Sequence, residues 1–181
     1  RQDIRDQIKP INRIKLQEQH TFNINKNLKS TGNVLILSDT HFPFEREGSL
    51  DFCNDIKKKY GCTNIIHIGD EIDNCAISQY AKDPDGLSAG TEAYQALKSI
   101  KDWYKAFPKA VSLLGNHDLL IQRKAKTAGL SRHFLRDYGD VIGAPDSWEF
   151  RLDYIKDKVK YTHGNVGDAI KVAKTSRIST C

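Results

Sequence analysis

Asn64-Ile65-Ile66-His67-Ile68-Gly69-Asp70-Glu71-Ile72-Asp73 is the stretch that decides the fold. An apolar run empties into a glycine and then into carboxylates. A continuous apolar run of four or five residues is the pattern of a strand buried on both faces. The pattern occurs twice more. Val34-Leu35-Ile36-Leu37 runs into Ser38-Asp39-Thr40-His41, and Ala110-Val111-Ser112-Leu113-Leu114 runs into Gly115-Asn116-His117-Asp118. In open α/β sheets, ligands bind beyond the carboxyl ends of the strands. Here those ends carry carboxylates, an amide and two imidazoles, all of them metal-binding groups.

Between these runs the periodicity turns helical. Leu50, Cys53 and Ile56 recur at helical spacing, so Ser49 to Tyr60 reads as a helix with Gly61 as its C-cap. Thr91 to Phe107 reads as a longer helix, capped by Ser88 or Thr91 and stopped by Pro108. Leu119 to Ala128 and Ser131 to Tyr138 read as two shorter helices separated by Gly129. Trp148 to Leu152 and Val159 to Thr162 read as strands. Gly167 to Lys174 reads as a further helix, and Arg177 to Thr180 as the start of another strand.

Composition narrows the class. The chain has 181 residues and 39% apolar content, which suits one domain with a short extension. No stretch reaches the roughly 20 apolar residues of a membrane span, so no membrane partner is expected. Cys53, Cys62, Cys75 and Cys181 form no C-x-x-C pair, which points to a reduced, cytoplasmic setting. Of the net charge of +5, residues 1–32 hold +4, from seven Lys/Arg against three Asp/Glu. Residues 1–32 therefore read as a basic N-terminal arm or linker, and residues 33–181 as the main domain. Such an arm can touch nucleic acid or can be a solvated tail.

Taken together, Asp39-Thr40-His41 (D-x-H), Gly69 to Asp73 (G-D-x-x-D), Gly115 to Asp118 (G-N-H-D) and His163-Gly164 make the chain resemble the calcineurin-like metallophosphoesterases. Each motif alone is ordinary turn chemistry; four in order after predicted strands are specific. The family's fifth motif, G-H-x-H, has no counterpart, since no His follows His163. The resemblance implies a four-layer α/β/β/α sandwich, incomplete at its C-terminal side. It implies two divalent ions, with Mn the first choice and Fe, Zn, Ni or Co also compatible. Asp39, His41 and Asp70 would bind one ion, and Asp70, Asn116 and His163 the other. His117 would serve the leaving group, and Asp73 or Asp118 would orient the groups around it. The family scheme needs one further His for each ion, so a truncated domain with an underfilled site is expected. His133, Asp118 and Asp168 are the first places to look for other ligands.

Two divalent ions can clamp an anionic phosphate and make a strong nucleophile of water. The expected function is therefore hydrolysis of a phosphoester. A diester, nucleic acid or nucleotide fits better than a phosphoprotein. The protein phosphatases of the superfamily carry Arg-Gly after G-D-x-x-D, and G-N-H-E, whereas this chain has Asn74-Cys75 and Asp118. The alternative is a non-catalytic phosphate- or nucleic-acid-binding module with a degenerate metal site. Arg123, Lys124, Lys126, Arg132 and Arg136, with Phe134, Tyr138 and Trp148, could form a basic and aromatic grip on substrate. They could equally form a helical lid with its aromatics in the core.

Overall fold

The computed structural model describes residues 32–80 and 83–164. The arm up to residue 31, the helix expected from Gly167 and the strand expected from Arg177 lie outside the described residues. Four strands, β1 (Asn33–Leu37), β2 (Cys62–His67), β3 (Ala110–Leu113) and β4 (Trp148–Arg151), form one sheet in that order. All three pairings are parallel. The apolar runs thus become the strands they predict, in an α/β fold. A slip between Asn33 and Val34 sets the register that places Leu37 beside His67, and His67 lies beside Ser112. The first three strands therefore end level, and the loops that follow them emerge side by side.

Helices join the strands, as parallel pairing requires. α1 (Ser49–Lys59) packs Leu50, Cys53 and Ile56 against the core, and Gly61 follows it at φ 57°. That left-handed geometry suits glycine just past a helix end. α2 (Ala89–Ala106) buries Glu92, Ala96, Ile100, Trp103 and Tyr104, which share one face at helical spacing. Ser88 caps it by accepting from Thr91 N at 3.2 Å. The core joins this face to Leu35, Leu37, Phe42, Ile65, Ile72 and Trp148. Trp148 Nε1 donates to Phe107 O at 2.8 Å and ties β4 to the end of α2.

Beyond β3 the sequence reading needs two corrections. α3 (Leu120–Thr127) stands where a helix was expected. The helix expected over Ser131–Tyr138 does not form. Ser131 caps a 3-10 turn, Arg132–Phe134, and Leu135 then turns extended at φ −104°, ψ 139°. The helical turn comes later, as α4 (Tyr138–Ile142). Tyr138 is the reason: its hydroxyl is held in the core by Asp118, so the chain starts a new turn there. The second correction is a strand that was missed. β5 (Asp153–Lys156) pairs antiparallel with β6 (Val159–Thr162) across Asp157-Lys158. Both turn residues have positive φ, 49° and 66°, as a two-residue type I′ turn demands.

Candidate metal centre

The first loop is laced to the second by backbone hydrogen bonds. Asp39 N donates to Gly69 O at 3.1 Å, His41 N to Asp70 O at 3.1 Å, and Phe42 N to Glu71 O at 2.7 Å. This lacing holds Asp39, His41 and Asp70 at φ 51°, 49° and 56°. Left-handed backbone costs a non-glycine residue about 1–3 kcal/mol and collects at functional sites. Three of the five residues expected to hold metal adopt it.

Asp118 clips the second loop to the third. Its carboxylate accepts from Asp70 N and Gly115 N at 2.8 Å, from Glu71 N at 3.0 Å and from Tyr138 OH at 2.5 Å. Burial raises this carboxyl above its ordinary value, and the hydrogen bonds oppose that shift. The loops meet so closely that a Cβ on Gly115 would lie 2.0 Å from Asp70 Oδ1. A Cβ on Gly69 would lie 2.7 Å from His163 Nδ1. Both glycines are there for close approach.

The donor atoms converge. His41 Nδ1 binds Asp73 Oδ1 at 2.7 Å, which leaves Nε2 facing Asp39 Oδ1 at 3.8 Å and Asp70 Oδ2 at 4.0 Å. His163 Nδ1–H donates to Ile68 O at 2.8 Å. Its Nε2 lies 3.1 Å from Asp70 Oδ2 and 3.1 Å from Asn116 Oδ1. Asp70 Oδ1 is occupied by His117 N at 2.9 Å, so Oδ2 is the oxygen that both imidazoles face. Imidazole nitrogens gathered on one carboxylate oxygen, with an amide oxygen beside them, form a donor set that a cation can occupy. Oxygen and imidazole donors without thiolate fit divalent first-row metals.

His117 stands at the rim. Its Nδ1–H donates to Asp73 O, its ring meets the His41 ring edge-on at 4.7 Å, and its side chain is 29% exposed. The geometry also groups His117 with His41 and Asp70, which the sequence did not suggest. Asp73 touches both imidazoles, one through its carboxylate and the other through its carbonyl. A family model for calcineurin-like phosphoesterases matches residues 32–178.

The chain belongs to the calcineurin-like phosphoesterase family.

Neither the curated proteins nor the solved structures gave a match. Of the alternative ligands considered for this phosphoesterase, Asp118 is consumed by its clip. His133 is exposed on the 3-10 turn and joins no cluster of metal-ligating groups among the described residues, and Asp168 lies outside those residues.

Beneath the loops lies a buried polar layer with little trace in the sequence. Ser112 Oγ donates to Glu71 Oε1 at 2.5 Å, while Glu71 Oε2 is buried with no partner among the described residues. Burial first, and then the Asp118 carboxylate, push Glu71 up to about 8. Glu92 was missed as well: its carboxylate accepts from Cys75 N at 2.9 Å and Ala76 N at 2.7 Å, steadying the turn after Asp73. The Cys75 thiol also donates to Glu92, and burial first, with its acceptor carboxylates, pushes it up to about 12. In sequence, a lone Glu in the first turn of a helix is indistinguishable from one placed for the helix dipole.

His67 joins the first two loops as a neutral ring. Nδ1 accepts from Gly69 N at 3.2 Å, Nε2–H donates to Thr40 Oγ1 at 3.1 Å, and Thr40 donates on to Glu71 O at 3.3 Å. Burial pushes its pKa from 6.5 down to about 3. Neutral when folded, it takes up a proton on unfolding in acid. Its contribution to stability is intact above about 6.5 and shrinks as pH falls toward 3, by about 1.4 kcal/mol per unit. His67→Gln keeps a side-chain N–H for Thr40 but cannot titrate. Urea unfolding between about pH 6.5 and about pH 5 should give the variant the shallower acid slope. Equal slopes would show that His67 does not set the acid sensitivity.

Proposed function

We propose that this protein hydrolyses a phosphoester, and a diester or nucleotide rather than a phosphoprotein. One divalent ion would be held by Asp39, His41 and Asp70, and a second by Asp70, Asn116 and His163. The observation that carries this reading is Asp70 Oδ2, which both the His41 and the His163 Nε2 atoms face. Such a pair supplies Lewis-acid stabilisation of the phosphoryl oxygens and a nucleophile at neutral pH; Mn is the first choice.

The chain's own residues do the rest. Asp73 and the Ile68 carbonyl fix the imidazoles of His41 and His163, so each presents Nε2 inward. The Asp73 carbonyl fixes Nδ1 of His117, which leaves Nε2 to hold a proton for the leaving oxygen. Asn74 Nδ2 donates to His117 O at 3.1 Å and occupies the place where phosphoprotein phosphatases carry arginine. The same reading puts the protein in the cytoplasm, supported by unpaired thiols at Cys53, Cys62 and Cys75. No helix among the described residues is long and apolar enough to cross a membrane.

The deciding experiment is hydrolysis of bis-p-nitrophenyl phosphate against p-nitrophenyl phosphate, with Mn and with chelator. Faster diester cleavage that chelator removes and Mn restores is expected. No cleavage of either ester by the metal-loaded protein would sink the proposal. In the active protein, His117→Ala should retain metal and lose about 10²–10⁴-fold in turnover. Unchanged turnover would take the leaving-group role away from His117.

A further inference from the structure

Just past the candidate metal centre, the chain forms a cavity of about 360 Å³. Its walls are Leu119, Leu130 and Leu135, and its rim carries Arg123, Lys126 and Arg132. Leu119, Arg123 and Lys126 lie on one face at the start and along the length of α3, at i, i+4 and i+7. Arg132 comes from the 3-10 turn that follows. The lining contains no carboxylate. Among the described residues, no hydrogen bond or ion pair engages the side chain of Lys126 or Arg132. Three cations gathered on one cavity without a counter-charge repel one another, and an anion relieves that repulsion.

The cavity and the metal-binding loop are physically one piece. Leu119 N donates to Gly115 O at 3.2 Å, and Arg123 Nη2 donates to Asn116 O at 2.7 Å. One nitrogen of the guanidinium is therefore anchored beside a candidate ligand, and its other donors remain for a planar anion. Of the two readings open from the sequence, a grip on substrate or aromatics packed in the core, the aromatics follow the second except at Phe134. Tyr138 and Trp148 are buried in the core, and Phe134 is exposed.

We infer that this cavity is a subsite for the nucleotide next to the scissile phosphodiester. The leucine walls take its base and sugar, and the rim takes its far phosphate. This rests on the phosphodiesterase reading above. The volume suits a ligand the size of one nucleotide, and the cationic rim selects an anionic one. Free dinucleotides and single-stranded nucleic acid offer the same chemistry.

The test uses Lys126→Ala/Arg132→Ala, two exposed positions. The probes are dithymidine dinucleotide with and without a 5′-phosphate, 5′-phosphorylated pentathymidylate and bis-p-nitrophenyl phosphate. In the wild type, the 5′-phosphate should lower KM about tenfold, as charge-assisted hydrogen bonds do. The double variant should lose that difference at unchanged kcat, and should cleave bis-p-nitrophenyl phosphate as before. Equal losses on phosphorylated dinucleotide and bis-p-nitrophenyl phosphate would overturn the subsite. Binding of fluorescein-labelled, 5′-phosphorylated dinucleotide, read by anisotropy, is independent of turnover. If the wild type cleaves nothing, a loss of about tenfold in affinity in the variant still supports the subsite. Equal affinity of wild type and variant for both the dinucleotide and pentathymidylate overturns it. A loss of equal size with dinucleotide and pentathymidylate assigns the site to single nucleotides. A loss confined to pentathymidylate assigns it to a strand, and either pattern keeps the ligand class.

Discussion

Asp70→Asn should leave the protein folded and strip it of both ions. Asparagine keeps the shape and the Oδ1 acceptor for His117 N, and it tolerates the left-handed backbone that Asp70 adopts at φ 56°. What it loses is the charge on the atom that two imidazoles face. An outer-sphere partner costs about 10–100-fold in metal affinity or activity when removed. The loss here should exceed that range, because under the proposed assignment the same carboxylate would serve both ions. Elemental analysis after dialysis against Mn is the direct measurement, with circular dichroism as the check on folding. Retention of two equivalents at wild-type affinity would remove Asp70 from the bridging role.

Asp118→Ala should have the largest effect on stability. The carboxylate satisfies N–H groups of Asp70, Glu71 and Gly115 and the Tyr138 hydroxyl, all inside the protein. Each buried donor left without a partner costs about 1–3 kcal/mol, and water entering the gap would recover part of that. A total of about 4–5 kcal/mol is expected, at the upper end of what one substitution does. For a chain of this size that corresponds to roughly 10–15 °C in Tm. Thermal unfolding with and without Mn measures it. A drop of about a degree or less would mean that the clip is ornamental to the fold. Tyr138→Phe removes one donor and leaves the carboxylate, so it should cost about 1 kcal/mol.

The strands and the order of the loops were readable because parallel strands are written as near-continuous apolar runs, broken here by His67 and Ser112, although in β1 the face that carries Ile36 is exposed rather than buried. Val34 to Leu37, Ile65 to Ile68 and Ala110 to Leu114 carry that signal plainly. The candidate ligands were readable for a related reason: their chemistry sits next to those runs in the chain. What escaped was long-range or locally ambiguous. Asp118 could be read either as an orienting group or as a spare ligand, because its partners, Asp70, Glu71 and Tyr138, come from elsewhere in the sequence. Asp157-Lys158 lacks the glycine or asparagine that usually announces a tight hairpin, so β5 was missed. The Ser131–Tyr138 segment has helical composition, but one buried hydrogen bond to Tyr138 outweighs propensity.

The parallel sheet also governs how the protein comes into being. Leu37 must find His67, Ile66 must find Val111, and Ala110 must find Trp148, so no strand pair of the parallel sheet is local. Non-local pairing carries its loop-closure entropy before any contact rewards it, which makes folding slow. Until β2 and β3 align, the apolar runs stay open to other chains, so nascent molecules at high concentration are exposed to aggregation. The residues that gather around Asp70 come into register only at the end of that search. Metal can therefore act as a late trap: an ion that binds the assembled loops slows their re-opening without guiding the chain toward them.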